Sequence, residues 1–116
     1  MILTEDKTPV NYQIKAYTPG RVTINETEYH QSVIVMPDRV IEYWPPTNVK
    51  QLCPERFDIL LNTNTDIVLL GTGTQFMLPN PEQLAFHVEC MNTAAACHTY
   101  IVLTSEGRDV AAALIL

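Results

Sequence analysis

The chain has few basic side chains, and they form no cluster. Among its 116 residues, 7 are Lys or Arg and 13 are Asp or Glu, which gives a formal net charge of -6. Proteins that bind nucleic acids need cations to neutralise the phosphates. The acidic balance therefore argues against a nucleic-acid partner.

Long apolar runs are also missing. The longest uncharged one, residues 110–116, would span about 11 Å as a helix, far less than a bilayer. The first residues contain the acidic pair Glu5-Asp6 and no apolar stretch, which is unlike a signal peptide. We therefore expect a cytoplasmic protein that does not span a membrane.

Cysteine and the common catalytic motifs are sparse. The chain has 3 cysteines and 3 histidines, without a C-x-x-C pair or zinc-finger spacing, so we expect reduced thiols and no metal. It contains no Walker A loop, G-x-S-x-G or H-E-x-x-H motif. We therefore assign no catalytic residue and no cofactor; whether the protein is an enzyme stays open, with a non-enzyme favoured.

The composition is that of a folded protein, with 47% hydrophobic and 17% charged residues. The length fits one domain over residues 1–116, and we expect residues 1–10 to form a flexible arm. Alternating apolar residues over 11–25, interrupted by Thr18-Pro19-Gly20, predict a β-hairpin. Apolar runs predict further strands, at 32–36, 40–44, 66–71, 87–91 and 110–116.

Helical signals are fewer. Pro54 starts a segment in which Phe57, Leu60 and Leu61 have amphipathic spacing, and Pro81 begins a second short helix to about residue 85. Residues 93–107 are ambiguous, because Tyr100–Thr104 has strand propensity while Thr93 is a possible helix N-cap. Propensity alone slightly favours a strand there. The alternation as a whole predicts an α/β fold around a mixed sheet.

Three motifs carry a resemblance to a known family, over roughly residues 10–115: Gly71-Thr72-Gly73-Thr74-Gln75, Val88-Glu89-x-Met91-x-Thr93-Ala94-Ala95-Ala96-Cys97-x-Thr99-Tyr100 and Ser105-Glu106-Gly107-Arg108-x-Val110-Ala111. The chain resembles small, mostly uncharacterised bacterial and archaeal proteins related to mitochondrial respiratory complex I assembly factor 3. It departs from that pattern at Asn92, His98 and Ile101, where relatives usually carry Asp, Arg and Asn.

The resemblance implies a three-layer, single-domain α/β fold. A central mixed β-sheet would be covered by an N-terminal β-hairpin layer and about three helices. It also implies that residues 93–106 form a helix, against their raw propensity, and we adopt this because tertiary context often overrides local preference.

One candidate ligand site follows from the predicted topology. The glycine-containing loop comes after a buried strand, where α/β sheets place ligands, and a helix N-terminus nearby would add backbone N–H donors suited to an anion. The loop is not a dinucleotide fingerprint, because residue 76 is Phe. A strand-exit turn without a ligand is the favoured alternative. The candidate residues are Gly71, Thr72, Gly73, Thr74, Gln75, Glu89, Thr93 and Cys97.

Cys97 and Glu89 each have two interpretations. The helix dipole would lower the pKa of Cys97, but a small buried thiol is the favoured alternative, and the neighbouring His98 would point about 100° away. Glu89 is the lone charge in an apolar segment, so we expect an ion pair, with Arg108 as its candidate partner. A polar floor for a ligand site is the alternative for Glu89.

Two hypotheses for function remain. The first is a non-catalytic binding module, similar to an assembly factor, that holds a protein partner such as a respiratory-complex subunit or assembly protein. The second is a small-molecule or anion-binding protein, or a small enzyme, that uses the candidate site. Trp44, Tyr43 and Phe76 would supply either core packing, which we favour, or an exposed interface. A homo-oligomer is possible.

Overall fold

The computed structural model describes residues 9–116. Its N-terminal part is an antiparallel sheet of β1 (Ile14–Thr18), β2 (Arg21–Ile24) and β3 (Thr27–Tyr29), in that order. The predicted hairpin is therefore present, and β3 extends it by a third strand that the sequence pattern did not reveal. Most of the predicted arm, residues 1–8, lies outside the described part of the chain.

A second sheet has five strands. They are β4 (Val33–Met36), β5 (Arg39–Ile41), β6 (Ile67–Gly71), β7 (Glu89–Met91) and β8 (Val110–Leu114), in the order β5-β4-β8-β6-β7. Strand β6 is parallel to β7 and β8, whereas β4 is antiparallel to β5 and β8. The sheet is mixed, as predicted. All five residues of its middle strand β8 are buried, which explains the continuous apolar run there.

The described residues form one α-helix, α1 (Thr93–Ser105), and three short 3-10 helices, Val49–Gln51, Pro54–Leu60 and Pro81–Gln83. The expected α/β class holds, but about three regular helices are not confirmed. The amphipathic stripe after Pro54 is incomplete, because Leu61 is exposed. Only Phe57 and Leu60 of this segment are buried, which is too little contact to sustain an α-helix by packing.

Successive residues of β8 point to opposite faces of the five-stranded sheet, and each face has its own core. One core packs α1 and the N-terminal sheet against Val33, Val35, Leu69, Val110, Ala112 and Leu114. The other packs Trp44 and the 3-10 helices against Ile34, Met36, Val68, Leu70, Ala111, Ala113 and Ile115. The hairpin thus shares a face with α1, so the predicted three-layer arrangement with a separate hairpin layer is not confirmed.

Helix α1 forms where the resemblance implied it. Its buried residues, Thr93, Ala96, Cys97, Tyr100 and Thr104, recur at helical spacing. The small side chains among them let the helix lie close to the sheet. The Tyr100 hydroxyl also donates a 2.8 Å hydrogen bond to the Tyr12 carbonyl. Packing therefore outweighs the strand propensity of residues 100–104.

Candidate functional site

The loop after β6 meets the first turn of α1 without space between them. A Cβ added at Gly71 would lie 2.8 Å from Thr93 Oγ1 and 2.9 Å from Thr93 Cα. Gly73 has φ of +107°, a backbone conformation that residues with a Cβ rarely adopt. The two glycines are therefore needed for a close approach and for a turn, as the favoured strand-exit interpretation expects.

Thr93 joins this loop to the helix and to the C-terminal strand. Its hydroxyl accepts a 2.8 Å hydrogen bond from the Gly73 N–H and donates one of 2.5 Å to the Ile115 carbonyl. The Thr93 N–H donates to the Gly73 carbonyl at 2.9 Å. Since the side chain is completely buried, these polar groups are satisfied inside the protein and are not offered to a ligand.

The next residues form an ordered turn around another threonine. The Thr72 hydroxyl donates to the Gln75 carbonyl at 2.9 Å and accepts from the Met77 N–H at 3.1 Å. Thr72 itself is buried, while Thr74 and Gln75 are exposed. These bonds fix the backbone from which the following side chains project.

Those side chains form the apolar loop, residues 76–78. Phe76 is 53% exposed, Met77 45% and Leu78 75%. The sequence had suggested an interface role for Phe76 as the less favoured alternative to core packing, and the structure places it at the surface. It did not single out Met77 or Leu78; the signal that could have found them is an uncharged apolar run bracketed by Gln75 and Pro79.

Asn92, and not Thr93, is the N-cap of α1. Its side-chain oxygen accepts a 2.8 Å hydrogen bond from the Ala95 N–H. Asn and Asp cap helices about equally well, so Asn92 forms the cap that the Asp expected from the resemblance would form, without its charge. The other two departures, His98 and Ile101, are exposed on α1.

A crevice of about 310 Å³ lies beside this helix end. Its lining includes Thr74 but not Glu89, Thr93 or Cys97; the lining residues are Tyr17, Thr18, Pro19, Thr74, Asn92 and Ala94. The structure therefore brings the glycine-containing loop and the start of α1 together, but it does not gather all the predicted candidates in one pocket.

Tyr17 is the residue of this crevice that sequence reasoning missed. Its hydroxyl oxygen is buried and has no hydrogen-bond partner in the described part of the chain. Burial, followed by the nearby Cys97 thiol, raises the pKa of Tyr17. No local pattern signals this, because strand β1 reaches α1 only through the tertiary fold.

Cys97 is a packing residue. It is 4% exposed, and burial raises the pKa of its thiol to about 12. Desolvation thus outweighs the expected effect of the helix dipole, and the thiol stays protonated at neutral pH. The favoured interpretation, a buried thiol between helix and sheet, agrees with this geometry.

Glu89 lies in β7 at the edge of the sheet, and its side chain is 54% exposed. Its carboxylate contacts His87, with 2.6 Å between Nε2 and Oε2. The expected partner, Arg108, precedes β8, and β6 separates that strand from β7. Glu89 is therefore neither a buried charge paired with Arg108 nor the floor of the crevice described above.

The three aromatic candidates divide between core and surface. Trp44 is buried, donates from Nε1 to the Arg56 carbonyl at 2.8 Å and packs edge-to-face on Phe57. Tyr43 is 71% exposed and has φ of 58°, an unusual conformation for a bulky residue. The favoured core role is thus correct for Trp44 only.

Residues 9–116 contain no group of three His, Cys, Asp or Glu side chains arranged to hold a metal ion. They also contain no helix with the length and apolar character needed to cross a membrane.

Known proteins resemble the chain over nearly its whole length. A "13 kDa major membrane protein" from Francisella tularensis is 33% identical in an alignment 122 residues long, gaps included, that covers 99% of each protein. An NMR structure of a Xanthomonas campestris protein is 38% identical with a TM-score of 0.80, covering 99% of this chain and 92% of that one. A Bordetella pertussis protein described as a Mth938-like domain shares the fold, at 23% identity and a TM-score of 0.73, over 98% of this chain and 91% of its own.

The family comparison gives no activity. Residues 14–115 match the model of a family described as "Protein of unknown function (DUF498/DUF598)". This supports a small uncharacterised family with a Mth938-like fold, while the suggested relation to complex I assembly factor 3 remains a resemblance. The chain belongs to the DUF498/DUF598 family.

Proposed function

We propose that this protein is a non-catalytic binding module, similar in role to an assembly factor, that holds a subunit or an assembly protein of a membrane-associated complex. The observation that carries the proposal is the apolar loop, with its three consecutive exposed side chains. Single exposed apolar residues are normal, whereas contiguous ones often mark interaction sites.

The apolar loop is suited to docking because its backbone is already ordered. Thr72 holds the turn through its bonds to Gln75 and Met77, and the buried ring of Pro79 closes it. A surface that is ordered before binding loses less conformational entropy when a partner arrives. Phe76 and Leu78 would then enter an apolar pocket of the partner as anchors.

The suggested connection with membranes has one support, since the Francisella relative carries the name of a membrane protein. The resemblance to an assembly factor suggests how such a connection would arise. In this proposal the chain is cytoplasmic, and its partner brings it to the membrane.

An affinity capture from the native cell tests this function. The bait is the full chain, compared with a Phe76→Ser/Leu78→Ser double variant. We expect the wild type to recover a subunit or assembly protein of a membrane complex, and the double variant to lose it. The matched control is Ile59→Ser/Leu61→Ser, which changes two other exposed apolar residues, 47% and 58% exposed.

Recovery should be unchanged with this control. Capture of no membrane-complex component by the wild type, or equal recovery with all three baits, would contradict the proposal. Urea unfolding of each variant shows whether a loss of partner reflects a loss of fold.

A second candidate function is small-molecule or anion binding in the crevice beside the α1 N-terminus. The buried, unpartnered hydroxyl of Tyr17 favours it, because such a group gains from a hydrogen bond. Of the predicted candidates, Thr74 would contact the ligand directly. The roles proposed for Gly71, Thr72, Gly73, Gln75 and Thr93 would be to shape the loop and helix end, with Glu89 and Cys97 farther away.

A thermal-shift screen with phosphate, nucleotides and small carboxylates separates the two functions. A ligand of the crevice should raise the melting temperature of the wild type and less so that of Thr74→Val or Tyr17→Phe. Silence across the screen, with Gly73→Ala merely destabilising, would remove this candidate and leave the binding module.

A further inference from the structure

A cleft of about 270 Å³ separates the edges of the two sheets. Strand β3 is an outer strand of the N-terminal sheet, and β5 is an outer strand of the five-stranded sheet. Glu28 and Tyr29 line the cleft from the β3 side, and Glu42 and Tyr43 line it from the residues that follow β5. We call this feature the inter-sheet cleft.

Its two tyrosines differ in exposure. Tyr29 is partly buried and packs against the core beneath the N-terminal sheet, so it forms a fixed wall. Tyr43 is 71% exposed, and its left-handed backbone lets the next residue, Trp44, enter the core on the other side. The cleft therefore has one anchored phenol ring and one exposed phenol ring.

The carboxylates also differ. Glu28 already has a cationic neighbour, with 4.0 Å from its Oε2 to Arg21 Nη1, and its Oε1 lies 3.5 Å from His30 Nε2. Glu42 forms no ion pair with any residue in the described part of the chain. The pKa of the Tyr29 phenol is raised, first by burial and next by the charge of the nearby Glu42. The cleft therefore contains one carboxylate whose charge is not matched nearby.

An uncompensated carboxylate beside two phenol rings is complementary to an organic cation. The carboxylate attracts the charge, and the electron-rich ring faces attract a cation that lies over them. Among protein side chains, only Lys and Arg carry a permanent cation at the end of a flexible stem. The overall charge of -6 adds a long-range attraction for a basic partner.

We propose that the inter-sheet cleft receives a single Lys or Arg side chain of the partner protein, bound between the Glu42 carboxylate and the Tyr29 and Tyr43 rings. This rests on the proposed function as a protein-binding module and adds a chemical requirement for the partner, namely a basic residue next to its apolar contact. The apolar loop and the inter-sheet cleft are separate surfaces, so each can be tested without the other.

The test is an NMR titration of the ¹⁵N-labelled full chain with capped tripeptides Gly-Lys-Gly and Gly-Arg-Gly, and with the neutral Gly-norleucine-Gly as the comparison probe. We expect saturable shifts of the amides of residues 27–31 and 41–43 with the basic peptides only. Glu42→Gln should raise the Kd about fivefold, as an exposed ion pair is worth at most about that much.

Two further variants complete the design. Tyr43→Asn removes the ring but keeps a residue that tolerates positive φ, and it should also weaken binding. Glu26→Gln is the matched control, because it removes the same charge from an exposed residue that does not line the cleft, and its Kd should equal that of the wild type.

Equal shifts with the norleucine peptide, no shifts with either basic peptide, or wild-type binding by Glu42→Gln would overturn the inference. So would tight binding of choline without binding of the basic peptides, which would point to a lipid headgroup. A silent titration together with successful capture by the apolar loop would refute this inference alone. If the Phe76→Ser/Leu78→Ser chain captures no partner but still binds Gly-Lys-Gly, the inference about the inter-sheet cleft is supported independently of the apolar loop.

Discussion

At the residue scale, Thr93 has the most connections of the candidate site residues. Replacing it by Val keeps the shape but leaves the Gly73 N–H and the Ile115 carbonyl without their hydroxyl partner. Each unsatisfied buried group costs about 1–3 kcal/mol, so we expect the loss of two partners in Thr93→Val to lower the free energy of unfolding by about 2–6 kcal/mol in urea denaturation. Thr93→Ser, which keeps the hydroxyl, should recover most of the loss. Equal stability of the Val and Ser variants would contradict this role.

Gly71 and Gly73 should respond differently to Ala. The Gly71→Ala methyl group would meet Thr93 at 2.8–2.9 Å, and such overpacking costs about 1–3 kcal/mol. Gly73→Ala has open space around its new methyl group, so its cost comes only from the positive φ and is roughly 1–2 kcal/mol. Urea unfolding should therefore rank Gly71→Ala as the less stable variant. The reverse order would show that the loop can move away from α1.

Cys97 should be unreactive in the native protein. With the thiol buried and its pKa raised to about 12, a disulfide reagent at pH 8 should modify it only after unfolding, whereas the half-buried Cys53 and Cys90 should react earlier. Because the unfolded thiol ionises near its ordinary pKa of 9.0 and the folded one does not, stability should fall as the pH rises from about 9 toward 12. Cys97→Ala should reduce that fall. Native labelling of Cys97 as fast as Cys53 would contradict the burial argument.

The role of Gly71 and Gly73 in a turn can be predicted from the sequence, but the positions of several side chains cannot. Gly71, Gly73 and the thiol of Cys97 have roles that residue type alone predicts. The exposure of Glu89 depends on β7 being an edge strand, and strand order is not encoded locally. The same applies to Tyr17, whose position beside α1 depends on contacts between distant parts of the chain.

At the element scale, helix α1 is the clearest case of tertiary override. The strand propensity of residues 100–104 is real, yet the helix forms because its small and buried face packs on β6 and β8. Most strands were easier to predict, since they are alternating or continuous apolar runs and several end at Pro or Gly, whereas β3 has no such pattern. The segment after Pro54 has a helical start signal, but only Phe57 and Leu60 are buried, which is too little contact for a regular helix.

This account predicts that α1 depends on its surroundings. A capped peptide of residues 91–107 should be mostly unfolded in water by circular dichroism, because short helices are marginal even with favourable residues and this one contains five β-branched side chains, Thr93, Thr99, Ile101, Val102 and Thr104. A strongly helical peptide would show that local capping by Asn92 and the alanines suffices, and that packing is not the deciding factor.

At the scale of the whole molecule, the described surface has two proposed contact features, the apolar loop and the inter-sheet cleft. The Cys97 thiol is buried and the Thr72 and Thr93 hydroxyls are bonded internally, while the apolar loop projects from a fixed turn. The mixed sheet and the membership of a small uncharacterised family agree with what the sequence indicated, whereas the relation to complex I assembly factor 3 is not confirmed. The partner is not encoded in any local pattern, since binding surfaces are assembled by the fold.

The most direct measurement is photo-crosslinking in the native cell, with a photoreactive phenylalanine analogue at position 76 and, in a separate strain, at position 59. Both positions are similarly exposed, Phe76 by 53% and Ile59 by 47%. A difference between their adducts therefore reflects their location on the surface and not their accessibility. The account predicts an adduct at position 76 that contains a subunit or assembly protein of a membrane complex, and no such adduct at position 59. No adduct at position 76, or the same adducts at both positions, would contradict it.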